Sequence, residues 1–323
     1  MSATAVVFPG QGSQRPGMAR DFHDQFAVSR EVFAEAGDAL GLDVARLCFD
    51  EDPRLDLTEF TQPAILTAEI AMFRALEKEH GLSVRCFGGH SLGEYTALCA
   101  AGAIRLDDAV RVVRRRGALM QSAVPAGKGA MVAVIGEGIG SRDLAAALAG
   151  LEVDVANRNS RDQLVLSGAA SDMERACERV RETAAPAEIE LVPLTVSAPF
   201  HSRRMRAIEP ELRAVLEGVA PRVVAERARA VTSNFTGAFH TGILPDLLDA
   251  LVRQASGAVD WMANMEAIGT TADRILEIGP ASNRRRCSAR RSRPSFRARR
   301  RTRSECWRAT TRWTSSTVAS SGR

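Results

Sequence analysis

No apolar run in this 323-residue chain approaches the roughly 18 residues that a membrane-spanning helix requires, so no membrane association is expected. No Lys or Arg precedes the short apolar stretch Ala5-Val6-Val7-Phe8. The N-terminus therefore lacks the charged region of a secretory signal, and a cytoplasmic location is expected. Cysteine is sparse. The six residues Cys48, Cys86, Cys99, Cys177, Cys287 and Cys306 form no C-x-x-C pair. Cys86 lies near His90, but no second pair completes a metal site, so reduced thiols and no metal are expected. Cys99 follows Leu98 in an apolar stretch and reads as core.

One segment is almost without acidic residues. Residues 281–323 hold 14 Arg, no Lys, no Asp and a single Glu, Glu305, a net charge of +13. The whole chain carries +4, which leaves −9 on residues 1–280. Isoleucine and leucine also vanish after Pro280, and no period of 2 or 3.6 survives there. A basic arm for nucleic acid, a disordered tail and an out-of-frame reading of a GC-rich gene each produce such a composition. The break is abrupt and falls within an element, which favours the third. No fold, chemistry or nucleic-acid partner is assigned to this segment.

What remains is an ordinary globular composition, 45% hydrophobic and 25% charged. Its length suits one large domain with an insert. Ala3–Phe8 reads as a strand running into the tight loop Pro9–Gln14. Thr61–Lys78 reads as a helix with Ile65, Ile70, Phe73 and Leu76 on its apolar side. Ser83–Phe87 reads as a strand, Glu94–Ala101 as a helix, and Leu106–Gln121 as a helix opened by Asp107 and Asp108. Residues 130–196 follow their own rhythm. Strands are expected at Ala130–Ile135, Glu152–Ala156, Gln163–Leu166 and Glu188–Val196, with helices at Ser141–Leu148 and Ser171–Thr183. That βαββαβ order is the ferredoxin-like unit. The fold expected is thus α/β: a large domain over 1–128 and 197–280, with a ferredoxin-like insert over 129–196. Arg274–Ile278 supplies a late strand of the large domain.

The strand at 83–87 leads through Gly88-Gly89-His90-Ser91-Leu92-Gly93 into a helix, and Gly89–Gly93 fits G-x-S-x-G. A serine on a sharp strand-to-helix turn needs neighbours without side chains. The turn exposes Oγ, and the helix N-terminus behind it favours negative charge. The Leu92 N–H can then face a developing oxyanion. Ser91 is accordingly the candidate nucleophile, against an ordinary βα turn with a structural serine, and His90 beside it has a packing role open to it. A serine needs a base. His23 and His80 lie in polar helical stretches and read as surface. His201 and His240 both lie in loops, and spacing prefers neither. Gly136–Gly140 is G-x-G-x-G inside the ferredoxin-like unit, not G-x-G-x-x-G in a Rossmann unit, so no dinucleotide site is expected.

Six motifs occur in order: Phe8-Pro9-Gly10-Gln11-Gly12-Ser13-Gln14, Phe60-Thr61-Gln62-Pro63-Ala64, Gly89-His90-Ser91-Leu92-Gly93-Glu94, Arg116-Gly117 with Met120-Gln121, Ser197-Ala198-Pro199-Phe200-His201-Ser202, and Leu276-Glu277-Ile278-Gly279-Pro280. Over residues 4–280 the chain resembles the malonyl-CoA:acyl carrier protein transacylases, including the acyltransferases of polyketide synthases. The resemblance implies an α/β-hydrolase-like large domain with a ferredoxin-like insert. It implies Ser91 as the acylated residue and His201, rather than His240, as base. The imidazole would be held by a backbone carbonyl, at the position of Gln254. The oxyanion hole would use the N–H groups of Leu92 and Gln11. Arg116 would grip the malonate carboxylate, with Gln62, His90 and Phe200 completing the substrate site. A guanidinium suits that task because it offers two parallel donors, whereas helical periodicity points Arg115 away from the inner face but does not separate Arg116 from Arg114. A phenylalanine before the base accompanies malonyl rather than methylmalonyl in polyketide acyltransferases.

The resemblance implies no cofactor beyond the coenzyme A thioester substrate. It names malonyl-CoA and an acyl carrier protein as partners, in fatty acid or polyketide biosynthesis, and a monomer is expected. An acyl hydrolase on the same scaffold and a transferase of longer acyl groups are the alternatives, and Arg116 argues against the hydrolase. Two departures stand out. Arg203 replaces the usual proline after His-Ser, followed by Arg204 and Arg206, a cluster that suits an acidic carrier or a solvated face. After Gly279-Pro280 the family's glycine and apolar residues are missing.

Overall fold

A computed structural model describes residues 3–196 and 198–280. The arginine-rich segment 281–323 and the residue Ser197 lie outside the described residues. Among the described residues seven strands form two sheets: β1 Thr4–Phe8, β2 Cys86–Gly89, β3 Gly129–Ile135, β4 Val153–Ser160, β5 Gln163–Ala169, β6 Glu190–Pro193 and β7 Arg274–Glu277. Strand β1 is buried along its whole length, as the central strand of a parallel sheet is. It pairs in parallel with β2 on one side and β7 on the other. Its side chains alternate between two cores. Val6 and Phe8 join the large helical core, while Ala5 and Val7 pack with Val259, Trp261, Met265 and Ile268.

The strand expected at Ser83–Phe87 lies at Cys86–Gly89. Its register on β1 runs from Ala5↔Cys86 to Phe8↔Gly89, so the two glycines extend the ladder instead of opening the turn. The ladder continues one step further, with the His90 N–H donating to the Phe8 carbonyl at 3.0 Å. The turn is thereby compressed onto His90 and Ser91.

Strands β3–β6 form an antiparallel sheet of order β4-β5-β3-β6 with its own core, including Val134, Ile139, Val153, Leu164, Leu166 and Val180. With the helix Ala170–Ala184 between β5 and β6, this is the ferredoxin-like order. The helix expected over Ser141–Leu148 is broken into a 3₁₀ turn, Ile139–Ser141, and a single helical turn, Ala145–Leu148. The Asp143 carboxylate accepts from the Ala145 N–H at 2.9 Å, a local side-chain bond that competes with helix continuation. The last strand shrinks from the expected Glu188–Val196 to Glu190–Pro193. It lies at the sheet edge, where a proline without an N–H is tolerated.

Four helices shape the functional region: α1 Thr58–His80, α2 Leu92–Ala100, α3 Leu106–Ser122 and α4 Leu244–Ser256. Helices α1 and α3 cross closely at Gly117, where a Cβ would stand 2.4 Å from the Thr58 carbonyl oxygen. That approach draws Gln62 and Arg116 together. Strand β4 is tied by backbone bonds to the segment before the helix Trp261–Thr271: Arg158 donates to the Val259 carbonyl, and Val259 donates to that of Ala156.

Candidate active site

The turn after β2 carries Ser91 at φ 54°, ψ −100°, a conformation L-residues rarely adopt. Gly89 and Gly93 permit it by direct contact. A Cβ on Gly89 would lie 1.9 Å from the Gly93 carbonyl carbon, and one on Gly93 would lie 2.3 Å from the Phe8 oxygen. Gly10 seats the Pro9–Gln14 loop on the same turn, since its Cβ would meet the His90 oxygen at 2.5 Å. Gln11 follows Gly10 in that loop. Its side-chain amide donates to Thr58 Oγ1 at 3.1 Å. Leu92 opens α2, and the first-turn N–H groups of a helix have no partner within it.

His201 lies 110 positions away and also has positive φ, 57°. The preceding loop is tight. Phe200 N–H donates to the Ala198 oxygen at 3.0 Å, and Ser202 Oγ donates to the Pro199 oxygen at 2.7 Å. His201 Nε2 stands 2.8 Å from Ser91 Oγ, and Nδ1 stands 2.8 Å from the backbone oxygen of Gln254. A carbonyl oxygen only accepts, so Nδ1 carries the hydrogen and Nε2 is left to accept from the serine hydroxyl. Burial, with the Arg116 charge second, pushes the His201 imidazole down to about 3, so it is neutral at pH 7. Phe200 is buried beside it.

Arg116 is only 1% exposed. It donates to Gln62 Oε1 at 2.9 Å, to Gln254 Oε1 at 2.8 Å and to Ser91 Oγ at 3.1 Å, and its Nε has no partner. Its guanidinium lies over the Tyr95 ring, 5.2 Å from the centroid. All of these hydrogen bonds go to neutral oxygens, and burial lowers the Arg116 pKa. A buried cation with neutral partners and an open donor is suited to receive an anion.

Neighbours of Arg116 behave differently. Arg114 donates to Glu59 and to the Leu40 oxygen, and Arg115 pairs with Glu211 at the surface. Arg203 binds Asp154 on β4 through its guanidinium and its backbone N–H, and Arg204 pairs with Glu152. These two arginines tie the segment after His201 to the small sheet, so they are engaged rather than simply solvated.

Several partners of the named residues, Asn159, Trp261, Asn234 and Glu94, escaped sequence reasoning. His90 faces Asn159 Oδ1 on β4 at 3.0 Å and stacks edge-on against Trp261. The Ser91 N–H donates to Asn234 Oδ1 at 2.6 Å. Gln254 contributes its side chain as well as its carbonyl: Nε2 donates to the Ser91 oxygen at 2.9 Å and to Glu94 Oε2 at 2.8 Å. Glu94 is fully buried and faces His240 Nε2 at 2.9 Å. Spacing left His240 open as a base; the structure places it against Glu94 and not against Ser91. A charged residue inside the apolar stretch Leu92–Ala100, one turn after Ser91, was the available signal for Glu94. Asn234 and His240 stand in a polar loop and offered none. Among the described residues no group of three or more His, Cys, Asp or Glu side chains is placed to hold a metal ion, and no helix is long and apolar enough to cross a membrane.

A sequence profile for the acyl transferase domain matches residues 5–276. The chain belongs to this family. It is 37% identical over 285 residues to the malonyl CoA-acyl carrier protein transacylase of Bacillus subtilis strain 168, covering 87% of each chain. The crystal structure of an acyl carrier protein S-malonyltransferase from Vibrio cholerae superposes with a TM-score of 0.76 at 37% identity, over 87% of this chain and 90% of that one. A malonyl-transacylase solved in complex with its type II PKS acyl-carrier protein, in the holo form, gives the same TM-score of 0.76, the same 37% identity and the same coverage, 87% and 90%. The acyl transferase fold thus accounts for nearly all of the described residues.

Proposed function

We propose that this protein transfers a malonyl group from malonyl-CoA to the phosphopantetheine thiol of an acyl carrier protein, in fatty acid or polyketide biosynthesis, through an acyl-serine at Ser91. One observation carries the reading. Ser91 Oγ stands at once within 2.8 Å of His201 Nε2 and 3.1 Å of the Arg116 guanidinium. A nucleophile–base pair alone serves any acyl donor. The buried arginine at the same oxygen selects a donor with its own carboxylate, and the names of the most similar relatives agree.

In the first half-reaction His201 Nε2 takes the Ser91 proton as Oγ attacks the thioester carbon. The N–H groups of Leu92 and Gln11 receive the developing oxyanion. The carbon–sulfur bond breaks, and the imidazolium returns its proton to the CoA thiolate. In the second half the carrier thiol gives its proton to His201 and attacks the acyl-serine, and Ser91 recovers its proton as it leaves. Arg116 holds the malonate carboxylate throughout, with Gln62 fixing the guanidinium. Phe200 fills the space a methyl branch would need. The scheme calls for no metal or redox cofactor. The strands β3–β6 with residues 129–196 serve as the insert, and residues 1–128 with 197–280 as the catalytic domain. A cytoplasmic monomer is the working form.

The test is a transfer assay with malonyl-CoA and a holo acyl carrier protein, following CoA release and malonyl-carrier formation together. Equal amounts of both support transfer. CoA release without malonylated carrier would make the protein a hydrolase. Transfer of long acyl groups in preference to malonyl would make it a different transferase.

A further inference from the structure

The scheme above leaves one buried carboxylate beside the nucleophile unused. Glu94 lies one turn after Ser91 in α2, with no exposed surface. Its Oε2 accepts from the Asn234 N–H at 2.9 Å and from Gln254 Nε2 at 2.8 Å, and Oε1 faces His240 Nε2 at 2.9 Å. These partners lead straight to the reacting groups. Asn234 Oδ1 receives the Ser91 N–H. Gln254 Nε2 also donates to the Ser91 oxygen, its Oε1 accepts from Arg116, and its backbone oxygen accepts from His201.

We propose that Glu94 is a positioning residue for acyl transfer, acting through Gln254 on His201 and Arg116 and through Asn234 on the Ser91 turn, with His240 fixing the carboxylate. The inference rests on Ser91 and His201 as the reacting pair.

The chemistry of an amide explains why the hub must be a carboxylate. A glutamine side chain has one donating and one accepting end, and either can face either way. An ionised Glu94 only accepts, so it demands the NH₂ end of Gln254. The oxygen end then faces Arg116, which only donates. Replace the carboxylate with an amide and the charged acceptor that holds Gln254 is lost, leaving Arg116 and the Ser91 oxygen alone to fix its orientation. The charge matters as well. When His201 takes a proton, its Nδ1–H bond to the Gln254 oxygen carries positive charge toward Glu94. A carboxylate one residue removed then does what a directly bonded acid does in other serine nucleophile sites. Glu94 also offsets the buried Arg116 charge, which no carboxylate touches directly.

Rapid-quench acylation of the full-length chain by malonyl-CoA tests the proposal. Glu94→Gln is expected to take one malonyl group on Ser91, but about 10- to 100-fold more slowly. His240→Leu supplies a second handle. The groups facing Glu94 are His240 and Asn234 from the loop, Gln254 from α4, Arg116 with Tyr95 nearby, and His201 beyond the amide. Removing His240 takes away one of the groups that fix the carboxylate, so His240→Leu is expected to acylate Ser91 about 10-fold more slowly at saturating malonyl-CoA. In the Glu94→Gln background His240→Leu should not slow acylation further. A parental acylation rate in folded Glu94→Gln would overturn the proposal. So would a parental acylation rate in folded His240→Leu, which decides the matter even if Glu94→Gln fails to fold. Failure of the underlying reading looks different, because the unaltered protein itself would then take no malonyl on Ser91.

Discussion

Ser91 and His201 meet through two left-handed backbones, φ 54° and φ 57°, that bring Oγ and Nε2 to 2.8 Å. Each such conformation costs on the order of 1–3 kcal/mol and persists only where its surroundings impose it. Here the β2–α2 turn imposes one, and the Ala198–Ser202 loop imposes the other.

The depressed His201 pKa has consequences for both rate and stability. The base is neutral above about 3, so kcat/KM for malonyl-CoA should not fall between pH 7 and pH 5 through His201 protonation. Malonate bound to Arg116 cancels the second-largest cause of that depression, so the acid limb of kcat should lie at higher pH than that of kcat/KM. The folded state binds this proton less readily than the unfolded chain does. Its contribution to stability is therefore present above the ordinary imidazole value of 6.5 and is lost as pH falls from there toward about 3. Acid titrations of activity and of thermal midpoint check both statements.

Arg116→Ala should lower kcat/KM for malonyl-CoA by about 3–5 kcal/mol in transition-state terms, since it strands the donor's carboxylate in a buried site. Acetyl-CoA should suffer far less. Arg116→Lys should rescue little, because a point charge cannot reproduce the fork that meets Gln62, Gln254 and Ser91. Kinetics with the two thioesters side by side provide the measurement.

Gly89→Ala places a methyl 1.9 Å from Gly93. Backbone, not a flexible side chain, must move. A loss of about 3 kcal/mol or more in stability, together with loss of acylation, is expected from denaturant titration and labelling.

Phe200→Ser should open room beside His201 and raise acceptance of methylmalonyl-CoA relative to malonyl-CoA. One methyl group is worth about 1–3 kcal/mol, so the ratio should move by roughly 10- to 100-fold. Competition between the two thioesters for one carrier measures it.

The sequence carried much of this. The elbow was legible because Gly89 and Gly93 are required by contact, and the ferredoxin-like insert because its strand and helix order is unusual. Arg116 needed family resemblance, since periodicity treats Arg114 and Arg116 alike while only the Gly117 crossing decides which is buried. The hub around Glu94 stayed hidden. Its partners Asn234, His240 and Gln254 lie 140 to 160 positions downstream of it, and hydrogen bonds across such separations leave no period. The strand read at Ser83–Phe87 lies instead at Cys86–Gly89, because glycines read as turn residues even where the ladder with β1 continues through them.

The most direct test is to mix the protein with malonyl-CoA, without carrier, and follow intact mass with peptide mapping. The account predicts one malonyl group per chain, on the peptide containing Ser91, and none in Ser91→Ala. A malonyl group on another residue, or undiminished labelling of Ser91→Ala, would contradict it.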